Sequence, residues 1–328
     1  MPIIAAPVTT PPDPGTSPDA GGGIVIPDYG RATVTYYDPT GKEWPLTTPS
    51  LGWKTLADGV SGLGAVPYEL TTDAHPRGGA RLRHVQAQPR TIVWPLRVYG
   101  STHTEFVGRW RQLAAAFTRT LRPGPDGLPT PGLLEIARPD GSRRRIEVFY
   151  QDGFEGLGNN TTGRIVDVAV LSLWCEDPYW ADALAVSIHR ETGTPVDYLN
   201  PYPSVSSSQV LGATTVVNPG DVDVWPVWTI TGPATSITFT REDTGDAFTL
   251  DMQATSHGAL LAGQTVTIST DPPRVRSGTG ENLVAGLNWP EAVLWSVPPG
   301  ETPVVFQLNG AEAGSAVDLT FYPRYETA

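Results

Sequence analysis

The chain has 328 residues, of which 39% are hydrophobic, and a formal net charge of −12. It is too long for one small core and suits two domains, with enough apolar residues to fill them. The acidic balance argues against sequence-specific nucleic-acid binding, which needs clustered cations, and no run of ~18 apolar residues is present to insert in a membrane.

Thirty-five Gly and 33 Pro predict many turns and short strands. Cys175 is the only cysteine, so stability is expected from packing and assembly, not from an intrachain disulfide. The first residues lack the basic-then-apolar pattern of a secretory leader. Residues 1–27 read as a flexible Pro/Gly-rich arm, which either stays disordered or orders against a neighbouring subunit.

Residues 28–180 read as a β-rich domain with one helix. Thr33–Tyr37 is a predicted strand entering a turn at Asp38-Pro-Thr-Gly41. Arg81–Val85 and Arg90–Val98 follow as strands, and Pro95 inside the second marks a sheet edge or a bulge. Thr102-His-Thr-Glu105 fits a capping box at the head of a helix near 103–121. Its apolar stripe is Phe106, Trp110, Leu113, Phe117 and Leu121, and Arg109, Arg111 and Arg119 project to solvent or toward another subunit. Leu133–Ile136 and Arg145–Tyr150 form a hairpin around Arg138-Pro-Asp-Gly141. A polar loop then carries Asn160-Thr-Thr162, a sequon match of no expected consequence without a secretory leader.

In 164–175 the apolar side chains fall on both parities, with Val166, Val168, Val170 and Trp174 on one face and Ile165, Ala169, Leu171 and Leu173 on the other. That is the pattern of a central strand covered on both sides, and Asp177-Pro178 ends it. Residues 181–207 read as a connection. The remainder, 208–328, reads as a β-sandwich of short strands at 213–217, 224–230, 236–239, 247–250, 264–269, 292–295, 303–308 and 316–322.

Chemistry-bearing patterns are scarce. The five histidines are scattered without metal-ligand spacing, and Asp221-Val-Asp223 lacks the rest of a calcium loop. Neither a nucleophile elbow nor a P-loop is present, so no enzyme, no metal and no cofactor is expected. Tryptophans are the remaining candidates. Within Val224–Ile230, Trp228 shares the parity of Val224 and Ile230 and belongs in a core, whereas Trp225 faces the other way and is the candidate carbohydrate contact. Trp174, Tyr179 and Trp180 are read as packing at the junction of the two domains.

Several segments resemble the distal tail protein family of long-tailed phages, the siphovirus-type tail components often called minor tail proteins. They are Trp174-Cys-Glu-Asp-Pro-Tyr-Trp180, Asn218-Pro-Gly-Asp221 with Trp225-Pro226 and Thr229-Ile-Thr-Gly-Pro233, Ser269-Thr-Asp-Pro-Pro273, Trp295-Ser-Val-Pro-Pro-Gly300 and Leu319-Thr-Phe-Tyr-Pro-Arg-Tyr325. Together they span roughly residues 90–328; the arm at 1–27 departs from the pattern. The resemblance implies a mainly β fold, in which an N-terminal antiparallel β domain with one long helix precedes a C-terminal galectin-like β-sandwich. It also implies a structural role in the virion, assembled in the bacterial host cytoplasm. The expected assembly is a homo-hexamer ring in the baseplate that joins the tail tube protein to the tip or hub protein. That ring would surround the channel used by DNA and the tape measure protein, and a negatively charged lumen would let DNA slide. A second reading, from a different class, is a host-adhesion module whose sandwich binds surface glycans through Trp225.

Overall fold

The computed structural model describes residues 30–156, 163–192 and 210–328. The arm at 1–27, the sequon loop and the Pro/Ser-rich 195–207 stretch lie outside the described residues.

The strands of the first unit are β1 (Thr33–Tyr37), β2 (Glu43–Pro45), β3 (Trp53–Thr55), β4 (Tyr68–Ala74), β5 (Ala80–Ala87) and β6 (Arg90–Tyr99). The helix α1 (His103–Thr118) follows, then β7 (Gly132–Ala137), β8 (Arg143–Asp152), β9 (Val166–Cys175) and β10 (Trp180–Asp182). The second unit holds β11 (Val186–Glu191), β12 (Val210–Asn218), β13 (Val227–Thr231), β14 (Ser236–Arg241), β15 (Ala247–Asp251), β16 (Thr265–Thr270) and β17 (Pro273–Ser277). It continues with β18 (Gly300–Asn309) and β19 (Ala316–Phe321), and the two-residue β20 (Arg324–Tyr325) comes last. The chain is mainly β with a single helix among the described residues.

The first sheet runs β2-β1-β7-β8-β9-β6-β3 in antiparallel order. Its inner face packs on α1, where Phe106, Leu113, Ala116 and Phe117 are buried. Tyr36 stacks on Phe117 with ring centroids 4.1 Å apart, and its hydroxyl donates to the Ala116 carbonyl at 3.2 Å. The cap forms largely as the motif predicts. Thr102 Oγ1 accepts from the Glu105 amide at 3.2 Å, while the Glu105 carboxylate accepts from Ser101, one residue earlier than a regular box.

The turn at Asp38 is a structural hub. The Asp38 carboxylate accepts from Trp44 Nε1 at 3.2 Å and pairs with Arg119 at 3.0 Å, so the helix end is tied to the β1–β2 turn. Arg109 likewise engages its own chain, at the Tyr99 carbonyl and Glu105. Arg111 alone of the three helix arginines is left on the surface, among the described residues. The stripe ends before Leu121. A 3-10 turn over Arg119–Leu121 breaks the helical phase, and Leu121 is 53% exposed.

Pro95 lies inside the sheet, between β3 and β9. The odd-numbered residues of β6 bond toward the 52–61 segment, as in Leu56 to Pro95 and Ser61 to Val93. That segment leaves the ladder between Leu56 and Ser61, so the missing proline N–H costs no bond there.

Two sheets, β11-β19-β13-β16-β17 and β12-β18-β14-β15, pack face to face as a sandwich. Trp228 sits at the centre of its core. It stacks on Phe239 at 4.1 Å and meets Trp295 and Phe306 edge-on at 5.1 and 5.3 Å. Val224 and Ile230 are buried with it, as the parity requires. Two segments differ from the sequence reading. Val186–Glu191 is a strand of this sandwich within the stretch read as a connection, because His189 and its neighbours pair with β19. Ala292–Trp295 is irregular instead of extended, and Ala292 and Trp295 are buried from a loop lying beside β15.

Candidate assembly interface

Among the described residues no three His, Cys, Asp or Glu side chains converge to hold a metal ion, and no helix is long and apolar enough to cross a membrane. What stands out is surface shape and chemistry at three places.

The first is the seam at Asp177–Trp180. β9 and β10 lie on the same side of β8, with Asp177-Pro178 looping out between them. On its other side β10 pairs with β20, matching Trp180 with Tyr325 and Ala181 with Arg324. The last strand therefore belongs to the first sheet. Arg324 is the centre of this seam. Its guanidinium makes two 2.7 Å bonds to the Asp177 carboxylate and one of 3.3 Å to the Asp223 carbonyl. It also lies 4.5 Å from the ring centre of Tyr179 and 5.4 Å from that of Trp225. Beyond it, Arg90 is buried and donates to the carbonyls of Gly62, Gly64 and Glu326. Arg144 lies over the Tyr325 ring, and Arg138 bonds the Ala328 carbonyl.

The aromatic residues singled out in the sequence are distributed across this region. Trp180 is fully buried in the first core. Tyr179 is half-buried against Arg324, and Trp225 is 40% exposed with that same guanidinium beside it. Trp174 points the other way, onto the outer face of the first sheet, next to Phe149 at 6.0 Å.

That outer face is the second place. Val166, Val168, Val170 and Trp174 form one row of β9, opposite the row that packs on the first core. Val168 is 41% and Val170 53% exposed. β9 is thus central in its sheet but covered on one face only among the described residues, where the sequence pattern predicts cover on both. At the Trp174 end the row opens into a groove of about 550 Å³ lined by Leu121, Leu128, Pro129, Phe149, Trp174 and Glu176. At the other end Lys54 and Arg97 stand side by side in register, with Val168 next to Arg97. Neither cation forms an ion pair among the described residues. The Trp174 end is acidic. Glu147 and Glu176 lie there, and partial burial, then Asp177 and Glu176, raises the Glu147 pKa.

The third is the β4–β5 hairpin, a separate two-stranded sheet with nearly every residue exposed. Register pairs Tyr68 with Ala87, Leu70 with Val85, Thr72 with Leu82 and Ala74 with Ala80, so one face is almost wholly apolar. The other carries Glu69, Thr71, Asp73, Arg81, His84 and Gln86. A bulge at Arg83 supplies the extra residue that keeps Leu82 on the apolar face. At the root, the Tyr68 hydroxyl donates to Glu326 at 2.9 Å.

The sequence reading missed Arg324 and β4. A two-residue strand has no periodicity, and the ion pair with Asp177 spans 147 positions. Along β4 the alternation Tyr68-Glu-Leu70 is present but ends at Thr71-Thr72, where both parities are polar.

No family model matches this sequence, and no curated protein does. Among solved structures the fold is similar to that of the Dit protein of phage SPP1, described as a paradigm of the hub adsorption apparatus in phages infecting Gram-positive hosts. The match covers 90% of this chain and 99% of that one, at 16% identity and a TM-score of 0.59. It is also similar to a chain of the phage P2 baseplate in its activated conformation with calcium, over 91% of this chain and all of that one, at 11% identity and a TM-score of 0.52. The strontium form of that baseplate gives the same figures. At such identities the likeness is one of fold, and the structures named here are of phage tail hub and baseplate proteins.

Proposed function

We propose that this chain is a structural component of a long-tailed phage tail tip, a distal tail protein that forms a homo-hexameric ring between tail tube and hub. The observation that carries the reading is the pair of unpartnered apolar surfaces on a chain whose fold is that of tail hub and baseplate proteins. An isolated two-stranded hairpin is marginally stable in water, and a central strand with an open valine row leaves apolar area to be buried. Both call for a neighbour. In this reading the β-rich part within 28–180 builds the ring and the sandwich within 208–328 hangs from it, fixed in pose by the seam. Trp225 then serves the seam, since Arg324 occupies a position beside its ring, and glycan contact is not needed to explain its exposure.

Negative-stain electron microscopy and light scattering of the purified protein test this. Six-membered rings are expected; a monomer that persists across micromolar concentrations and never joins tails would overturn the reading.

A further inference from the structure

We propose that the outer face of the sheet β11-β19-β13-β16-β17 binds an uncharged oligosaccharide, with sugar rings laid on Tyr322 and Trp225 and their hydroxyls held by the polar rows beyond. The proposal is independent of the ring reading.

The strand registers set out this face row by row. Ser187, Thr320, Val227, Ser269 and Arg274 are matched in one row across all five strands. His189, Asp318, Thr229, Thr267 and Arg276 are matched in the next. Their chain neighbours Leu319, Trp228 and Ile268 are buried in the sandwich core, so both rows point outward. Trp225 and Tyr322 lie two residues beyond the Val227–Thr320 pair on the same parity, with Pro226 and Phe321 buried between.

Three observations select the ligand. The face carries an apolar island, since Tyr322 is 53%, Trp225 40% and Val227 38% exposed. Such an island rimmed by polar groups marks a place of binding. Arg324 lies beside the Trp225 ring, but the Tyr322 side chain has no hydrogen-bond, ring or cation partner among the described residues. Next to the island, the side-chain hydroxyls of Ser187, Thr229, Thr267 and Thr320 also make no hydrogen bond among the described residues, so each can donate and accept. Charged groups of both signs border these hydroxyls. On β17, about 10 Å from β13, Arg274 has no ion pair among the described residues and Arg276 donates to the Gly280 carbonyl at 3.2 Å, with Asp271 at the adjoining turn. On the other side Asp318 lies 2.7 Å from His189 Nδ1, and Glu191 follows on β11. A face bordered by both signs selects no ion of either sign. A ligand with C–H faces to stack and hydroxyls that both donate and accept matches the island and the rows together. That ligand is a sugar chain.

The full-length protein is labelled and applied to an array of neutral and acidic oligosaccharides, and the best neutral hit is then titrated by calorimetry. Binding to a neutral oligosaccharide at millimolar concentration or below is expected. Tyr322→Ala and Arg274→Ala, both at exposed positions, are each expected to weaken it ~10-fold. Thr229→Val keeps the shape and strand preference and removes one hydroxyl, so a loss of about 3–10-fold is expected. Trp289→Ala, equally exposed on the loop beside β15 of the other sheet, is the control and is expected to change nothing. An array with no neutral hit overturns the proposal. So does a hit that survives Tyr322→Ala or is lost in Trp289→Ala. Binding confined to acidic glycans and abolished by about 0.5 M salt overturns it as well. None of these outcomes bears on whether the chain forms rings.

Discussion

Arg324→Ala is the most informative single change, because one side chain joins elements from both units. It removes a two-pronged bond to Asp177 at 2.7 Å, a 3.3 Å bond to the Asp223 carbonyl, and the contacts with Tyr179 and Trp225. Asp177 is half exposed, so solvent screening holds the ion pair to about 1 kcal/mol in spite of its geometry. The Tyr179 contact adds about 0.5–1 kcal/mol, the more distant Trp225 contact a few tenths, and the long carbonyl bond about 0.5 kcal/mol. The expected loss is therefore roughly 2–3 kcal/mol. Urea unfolding followed by tryptophan fluorescence measures it, and a cycle with Asp177→Asn isolates the pair. Arg324→Lys should lose more than half as much as alanine, since an ammonium keeps the charge but not the fork. A change under ~0.5 kcal/mol, or no coupling to Asp177, would refute the assignment of Arg324 as the centre of the seam.

Three further outcomes follow from local geometry. Gly132→Ala would put a Cβ 2.4 Å from the Tyr36 ring, which is itself stacked on Phe117, so a loss of about 2–3 kcal/mol is expected in thermal unfolding. Burial alone would raise the Asp38 pKa, but hydrogen bonds from Thr40, Trp44 and the Lys42 amide outweigh it and the net shift is downward. Its stabilisation is thus present above the unfolded value near ~4 and is lost as pH falls through the depressed folded value. Asp38→Asn should therefore cost about 1–3 kcal/mol at neutral pH and progressively less in acid, read from unfolding midpoints across pH. Burial pushes the Cys175 thiol up to about 12, with Arg90 pulling it down and Asp177 adding to the rise. A thiol reagent at about pH 8 should leave the native protein unlabelled and react fully once it is unfolded.

Local signals in the sequence were legible where they act locally. The Thr102–Glu105 cap, the Phe106–Phe117 stripe, the Pro-Asp-Gly hairpin and the opposed parity of Trp225 and Trp228 each depend on neighbours within a few residues, and each appears in the structure. Leu121 was misplaced because a change of helical phase leaves no mark in composition. The valine row of β9 shows a different limit. Apolar parity reports that a face wants cover, and it cannot tell whether the same chain supplies it. The seam was the least legible, since Arg324, Asp177 and Trp225 meet only after both units have folded.

The pairing of β10 with β20 has a consequence for modular exchange. The chain leaves the first sheet after Asp182 and re-enters at Arg324, on two strands that are hydrogen-bonded neighbours. Everything between is thus an insertion with adjacent entry and exit points, the arrangement that best tolerates replacement of one folded insert by another. A host sheet built this way can keep its own surfaces unchanged while the inserted sandwich is traded for another, provided the newcomer leaves Asp177 and Arg324 free to meet.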